Sequence, residues 1–138
     1  LPDSFMKPEI IVSALDLERL EGLLHNPNMR NRRDLDGLRT ELDRAEVREA
    51  ADMPPDVITM NSRARVREHP SGRERELTLV YPGNIGEGYV SILTPAGSAL
   101  LGMSVGQKID WPTVEGREVH LEVLEVVRQP EREGDFDL

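Results

Sequence analysis

Few residues in this chain have the types and spacing for covalent chemistry. There is no cysteine, which removes disulfides, thiolate-bound zinc and thiol catalysis. His25, His69 and His120 lie far apart and match no metal-ligand spacing. Asp34 and Asp36 are near neighbours, but a two-residue step on a helix turns the side chain by about 200°. They read as charge at a helix N-terminus rather than as a metal pair. Glu115, Glu118, Glu122 and Glu125 are surface strand positions with no converging His or Ser, so a two-carboxylate hydrolase is not indicated. The expectation is a protein that is not an enzyme and carries no cofactor and no metal. Groups suited to binding are more frequent. Arg30, Arg32 and Arg33 form a basic cluster in an Asn-rich loop, placed either to touch acidic groups of a partner or to be solvated. Arg63, Arg65 and Arg67 share one face of a strand. With Ser71-Gly72 as a central turn pair, Arg67 falls opposite Glu76, and cross-strand pairing accounts for the stripe. Thr94-Pro95-Ala96-Gly97 opens a short helix whose start, with the Gly97 and Ser98 N–H groups, is suited to an acidic or polar group from a partner.

These residues need elements to hold them. Thr94 is a good N-cap, Pro95 fits the first helical position, and Gly102 suits a left-handed C-terminal residue. A helix of about two turns does not persist alone, so a sheet must support it. Ser13 with Asp16 three residues on resembles a capping box. Leu17, Leu20, Leu23 and Leu24 then mark a helix from Ala14 to about His25, which Asn26-Pro27-Asn28 ends. Leu35, Leu38, Leu42 and Ala45 mark a second helix, opened by Asp34 and Asp36 and running to about Ala51 before Pro54-Pro55. Arg39 and Asp43 are spaced to pair on its outer face. Two helices with narrow leucine seams predict an antiparallel coiled-coil hairpin.

From Asp56 the hydrophobic period changes to two. Val57–Met60, Ala64–Glu68, Glu76–Tyr81, Tyr89–Leu93, Lys108–Trp111 and Val119–Gln129 read as strands, with turns at Pro70–Arg73 and Val114–Gly116. The connections are short, so the sheet is expected to be antiparallel. The last strand changes parity between Val123 and Leu124, which predicts a bulge there. The tail from Pro130 is polar and acidic and is expected to be mobile. The fold class is α+β: a helical hairpin, residues 6–52, a mainly β unit with one short helix, residues 53–130, and an acidic tail, residues 131–138.

The composition sets limits on partners. The chain has 138 residues, enough for one ordinary domain or a small domain with an appendage. A formal charge of −9 argues against non-specific nucleic-acid binding or an anionic membrane surface. No stretch has the length of a transmembrane span or the form of a signal peptide, so a monomer in the cytoplasm is expected. Met6-Lys7-Pro8-Glu9 reads as the natural start, and Leu1–Phe5 are set aside.

The run Thr94-Pro95-Ala96-Gly97-Ser98-Ala99-Leu100-Leu101-Gly102, followed by Val105-Gly106, resembles the C-terminal signature of bacterial Gre transcript-cleavage factors. Gln107 stands where that pattern has Asp. The resemblance is closer to the Gre-related regulator of nucleoside diphosphate kinase (Rnk) family. It is carried by Met53-Pro54-Pro55-Asp56-Val57-Ile58-Thr59-Met60-Asn61-Ser62, Leu79-Val80-Tyr81-Pro82, Leu121–Glu125 with Gln129-Pro130-Glu131, and Glu41–Ala45. It implies an FKBP-like second domain and a bacterial RNA polymerase as partner, bound at the secondary channel. The docking residues implied are Thr94, Pro95, Ala96 and Gly97. The Asn- and Arg-rich tip, on helices of about 18 and 27 Å, implies competition with Gre-type effectors without stimulated transcript cleavage. Two alternatives are a Gre-like cleavage and elongation factor and an FKBP-type prolyl isomerase. The latter needs an aromatic pocket, for which the second unit offers only Tyr81, Tyr89 and Trp111.

Overall fold

The computed structural model describes residues 10–111 and 119–134. The expected start at Met6, the turn at Val114–Gly116 and the carboxylates Glu115 and Glu118 lie outside them. The first element among the described residues is a three-residue strand, β1 (Ile11–Ser13), which turns directly into α1 (Ala14–Leu24). Ser13 makes this turn possible, because its hydroxyl oxygen accepts the Asp16 N–H at 3.0 Å. The Asp16 carboxylate also serves beyond the helix start. It crosses the molecule to accept the Met60 N–H at 3.1 Å.

The second helix differs from the sequence expectation. A single 3₁₀ turn at Arg33–Leu35 leads into α2 (Asp36–Arg44), which is nine residues long and ends seven residues before Ala51. The chain then forms β2 (Glu46–Arg48), paired in parallel with β1 in the register Ile11 to Glu46 and Ser13 to Arg48. Parallel strands need a crossover between them, and here the two helices supply it. The helical region is therefore a two-helix crossover closed by its own ladder, not a hairpin with helix to residue 51. Ala45 leaves the helix because its neighbour Glu46 donates its N–H to the Ile10 carbonyl at 2.9 Å. Local propensity favoured more helix, and a long-range backbone pairing overrides it.

The main sheet has five strands: β3 (Arg63–His69), β4 (Glu74–Val80), β5 (Tyr89–Ser91), β6 (Lys108–Trp111) and β7 (Val119–Arg128). Their order is β5-β4-β3-β7-β6. All neighbours are antiparallel except β4 and β5, which run parallel, so the fully antiparallel expectation is corrected. The pairing covers only three residues, and the glycine-rich loop 81–88 doubles back to make it. Gly88 adopts φ +74, and a side chain there would press on the Glu76 carbonyl. The expected strand at Val57–Met60 is reduced to one bridge between Val57 and Ser104.

The β3–β4 register also differs. Gly72, at φ +77, donates its N–H to the Glu68 carbonyl at 2.7 Å and Glu68 donates to the Arg73 carbonyl at 2.7 Å, so Arg67 faces Glu74 rather than Glu76. The shift is an even number of residues, so the arginine stripe keeps its face. On β7 the predicted bulge is present: Arg65 aligns with Glu125 and Val66 with Val123, leaving Leu124 extra. A second bulge follows, since Arg63 aligns with Arg128 and Ala64 with Val126, leaving Val127 extra.

α3 (Pro95–Leu100) packs against the sheet, with Leu100 buried. One contiguous apolar core runs from Val12, Leu20, Leu35 and Leu38 through Met60 and Leu100 to Leu121 and Val123. Gly102, at φ +79, lets Ile10 pack directly on the backbone, where any side chain would collide with it. The start of the tail is not mobile as expected. Pro130 is buried, the Gln129 amide donates to the Pro54 and Val57 carbonyls at 2.7 and 2.8 Å, and Arg132 donates to the Val126 and Val127 carbonyls.

Candidate functional site

The helix start at Thr94 is built as its sequence suggests, but it offers less to a partner. The Thr94 side chain accepts the Gly97 N–H at 3.0 Å, and its hydroxyl donates to the Ser91 carbonyl at 2.7 Å. The Ser98 N–H bonds the Thr94 carbonyl at 3.0 Å. Both N–H groups expected to receive a partner are thus engaged within the fold. Gly97 is buried, and a Cβ at that position would collide with the Ser91 carbonyl oxygen. It is there so that α3 can lie on the chain at 91–92. Thr94 and Pro95 are exposed and Ala96 is half-buried, so these three form the surface and Gly97 supports it from beneath.

Arg30, Arg32 and Arg33 are all exposed on the loop between the helices. Arg32 grips Asp34 side-on through two guanidinium nitrogens, with Nε to Oδ1 at 3.1 Å and Nη2 to Oδ2, and this holds the Asp34 carboxyl below the usual range. The loop is organised by Arg39, which sequence reading had paired with Asp43. Its guanidinium donates to the Met29 carbonyl at 2.7 Å, the Arg32 carbonyl at 2.9 Å and the Asp36 carboxylate at 3.0 Å. One side chain thereby adds a second, charged donor to carbonyls that already accept the Arg32 and Leu35 N–H groups, and ties the loop to α2. Arg30 and Arg39 also border a cleft of about 170 Å³ with Leu24, His25 and Leu42. Asp34 and Asp36 are each engaged by an arginine. Among the described residues no three His, Asp or Glu side chains gather as a metal site.

Arg65 and Arg67 carry out the expected surface pairing. Arg67 meets Glu74 at 2.8 Å, and Arg65 meets Glu74 at 2.8 Å and Glu125 at 3.2 Å. Arg67 and Arg65 hold the Glu74 carboxyl below its ordinary value. His69 lies 3.0 Å from Glu122 and lowers that carboxyl in the same way.

Sequence reading missed the polar junction between the helical crossover and the sheet. Asp16 is only 4% exposed. Burial, with the nearby Glu131 carboxylate, pushes its carboxyl up to about 6, against the pull of the Met60 N–H and Arg19. Beside it, Thr59 donates to Glu131 at 2.7 Å, and the Ser62 hydroxyl accepts the Thr59 N–H at 2.9 Å. Burial also raises the Tyr81 phenol. The only sequence hint was an Asp in the place of the usual Glu of a capping box.

The family comparisons divide the chain at this junction. The Rnk N-terminus model matches residues 8–47. The model described as transcription elongation factor, GreA/GreB, C-term, matches residues 53–128. The regulator of nucleoside diphosphate kinase of Escherichia coli K12 is 43% identical over 132 residues, covering 94% of this chain and 97% of the relative. The chain belongs to the family of regulators of nucleoside diphosphate kinase. That family is related to the Gre elongation factors: GreA of Oenococcus oeni is 31% identical over 84 residues, covering 59% of this chain and 52% of the relative. A solved structure titled prokaryotic transcription elongation factor GreA/GreB, from Nitrosomonas europaea, superposes with a TM-score of 0.75 at 44% identity, covering 88% of this chain and all of that one. In this regulator, Asp16 lies in the Rnk N-terminal segment and Met60 in the Gre-like one, so their hydrogen bond ties the two segments together. No helix among the described residues is long and apolar enough to cross a membrane.

Proposed function

We propose that this regulator binds bacterial RNA polymerase at the secondary channel and competes there with Gre-type effectors without stimulating transcript cleavage. In this reading residues 53–130 form an FKBP-like docking unit that holds the polymerase through Thr94, Pro95 and Ala96. Residues 6–52 point their Arg30–Arg33 loop into the channel, and residues 131–138 are an appendage. The protein works as a cytoplasmic monomer and catalyses nothing itself.

The observation that carries the non-catalytic half is the state of the tip acids. Delivering a catalytic magnesium ion to a cleavage reaction needs carboxylates free to coordinate it. Here Asp34 is gripped by Arg32 and Asp36 by Arg39. The reach is also short: 11 and 9 residues give helices of about 17 and 14 Å. The isomerase alternative is weakened by its aromatics, since Tyr81 packs against the core while Tyr89 is exposed on the sheet.

Displacement of a labelled Gre factor from purified polymerase tests the reading. The regulator is expected to displace it and to leave backtracked transcripts uncut. Pro95→Asp, on an exposed position, is expected to fold normally and to lose at least tenfold in displacement. Failure of the unaltered chain to displace the Gre factor would sink the reading, and restored cleavage would sink its non-catalytic half.

A further inference from the structure

The chain that joins the crossover to the sheet is held from its two sides by different kinds of bond. On one side it pairs backbone to backbone with the loop after α3. Val105 donates to the Asp56 carbonyl at 3.0 Å, Ile58 to the Met103 carbonyl at 2.8 Å, and Gly102 to the Ile58 carbonyl at 2.9 Å. On the other side the bonds come from side chains that follow β7. The Gln129 amide donates to the Pro54 and Val57 carbonyls, and Arg132 reaches the Pro55 carbonyl at 3.3 Å. Glu131 accepts the Thr59 hydroxyl at 2.7 Å. Gln129 is fully buried, so this end of the C-terminal turn is anchored. Glu131 is only half-buried, so its carboxylate can turn out to water.

The seat of Glu131 has a second acid beside it. Thr59 and Met60 are consecutive residues, and the first holds Glu131 while the second holds the Asp16 carboxylate. The charged groups acting on Asp16 are few. Arg19 lies one turn further along α1, and Glu131 comes from the C-terminal turn. The Tyr81 phenol, just after β4, faces both acids and Arg19. Segment 59–62 contributes only the Thr59 and Ser62 hydroxyls, 2.7 Å apart. From β2, Arg48 is aligned with Ser13 and is taken up by Glu46. Two ionised carboxylates in a site with little water repel each other. Asp16 is fixed on its helix and cannot leave, whereas Glu131 can. Departure orphans no donor, because the Thr59 hydroxyl then has the Ser62 oxygen as its acceptor.

We propose that Glu131 is a proton-controlled latch on the joint between the Rnk N-terminal segment and the Gre-like segment. It sits on Thr59 while Asp16 is neutral and is driven off when Asp16 ionises. The single proton passes between the Asp16 carboxyl and water. The sign follows from the folded state holding that proton up to about pH 6, above the ordinary range of an aspartate. Acidification therefore closes the latch and stiffens the joint, and a rise in pH through 6 opens it. The backbone ladder to the loop after α3 and the Gln129 anchor stay in place in both states, so the change is confined to Glu131, Thr59 and the turn 131–134. The device belongs to the chain alone and does not rest on polymerase as the partner.

The test is a pH titration of the isotope-labelled full chain by magnetic resonance, followed at the Asp16 carboxyl carbon, the Thr59 methyl group and the backbone of residues 131–134. The Asp16 carbon is expected to titrate near pH 6, and the Thr59 methyl shift should change with the same midpoint. Order parameters of residues 131–134 should fall across that midpoint, from about 0.85 to below about 0.6. Two near-isosteric variants remove one charge each. Asp16→Asn should hold Thr59 and residues 131–134 at their low-pH values throughout. Glu131→Gln keeps an oxygen for the Thr59 hydroxyl, so it should stay closed throughout, and the Asp16 midpoint should move downward. Urea unfolding of both variants checks that they fold. The proposal is overturned if Thr59 and residues 131–134 do not change with pH in the unaltered chain. It is equally overturned if their transition persists in folded Asp16→Asn, or if the Asp16 midpoint is unmoved in Glu131→Gln.

Discussion

The helical crossover and the five-stranded sheet share one apolar core but keep their surfaces in order by different means. In the sheet, order comes from strand pairing: rows of opposite charge follow the register, and the backbone closes against itself at Gly97 and Gly88. In the crossover only the three-residue ladder of β1 and β2 is paired, and single side chains act as ties. Arg39 spans the loop, and Asp16 ties α1 to the sheet. A region built on pairing should fail as a whole when a close approach is blocked, whereas one built on ties should fail locally.

The largest expected effect lies in the sheet. Gly97→Ala adds one methyl group that collides with a backbone oxygen, which cannot rotate away as a side chain could. A loss of about 3 kcal/mol or more is expected, at the upper end for overpacking. Urea unfolding followed by tryptophan fluorescence should show a lower midpoint in a single transition. A variant that melts α3 alone, leaving exchange protection in β3 and β7 intact, would break the contrast drawn above.

The crossover is expected to respond otherwise. Arg39→Ala removes a charged donor from three carbonyls and from Asp36. Hydrogen bonds to a charged group contribute roughly 1.5–3 kcal/mol, so a local loss of about 2 kcal/mol is expected. Amide exchange should accelerate through residues 26–36 while the sheet stays protected. Coupled loss of protection in both regions would show that the tie is not local.

Legibility in the sequence follows the same division. The Thr94-Pro95 cap, the α3 limits and the bulge at Leu124 were readable because each rests on neighbours a few residues apart. The three-residue parallel ladder of β1 and β2 was not, since Glu46 and Val47 carry no strand period and their partner lies more than 30 residues away. Strand β5 was readable at Tyr89, but its parallel direction was not, because the loop 81–88 doubles back in a connection short enough to suggest antiparallel pairing. The arginine face survived an error in register because the error was even. The ties were invisible: an Arg39–Asp43 spacing looks like a helix pair, and only the folded loop reveals that the carbonyls lie closer. Gln129, read only as the end of the last strand, is buried because its amide finds carbonyls at Pro54 and Val57.

Asp16 gives the finest test, because its tie can be changed without changing its shape. Its carboxyl is raised from 3.8 to about 6 in the folded protein. The folded state therefore holds this proton more tightly than the unfolded chain does. Its contribution to stability is most favourable below pH 3.8, declines as pH rises through the interval to about 6, and stays unfavourable above it. Asn at this position keeps an oxygen for the Met60 N–H and carries no charge. Part of the gain is offset because a buried amide also costs desolvation. Asp16→Asn is expected to be more stable than the unaltered chain by on the order of 1 kcal/mol at pH 7.5, with the difference vanishing toward pH 4. Urea midpoints measured from pH 4 to 8 check the sign. Asp16→Asn less stable across this whole range would mean that the charge itself is the tie, through Arg19. In that event the junction would be held by an ion pair rather than by a backbone hydrogen bond.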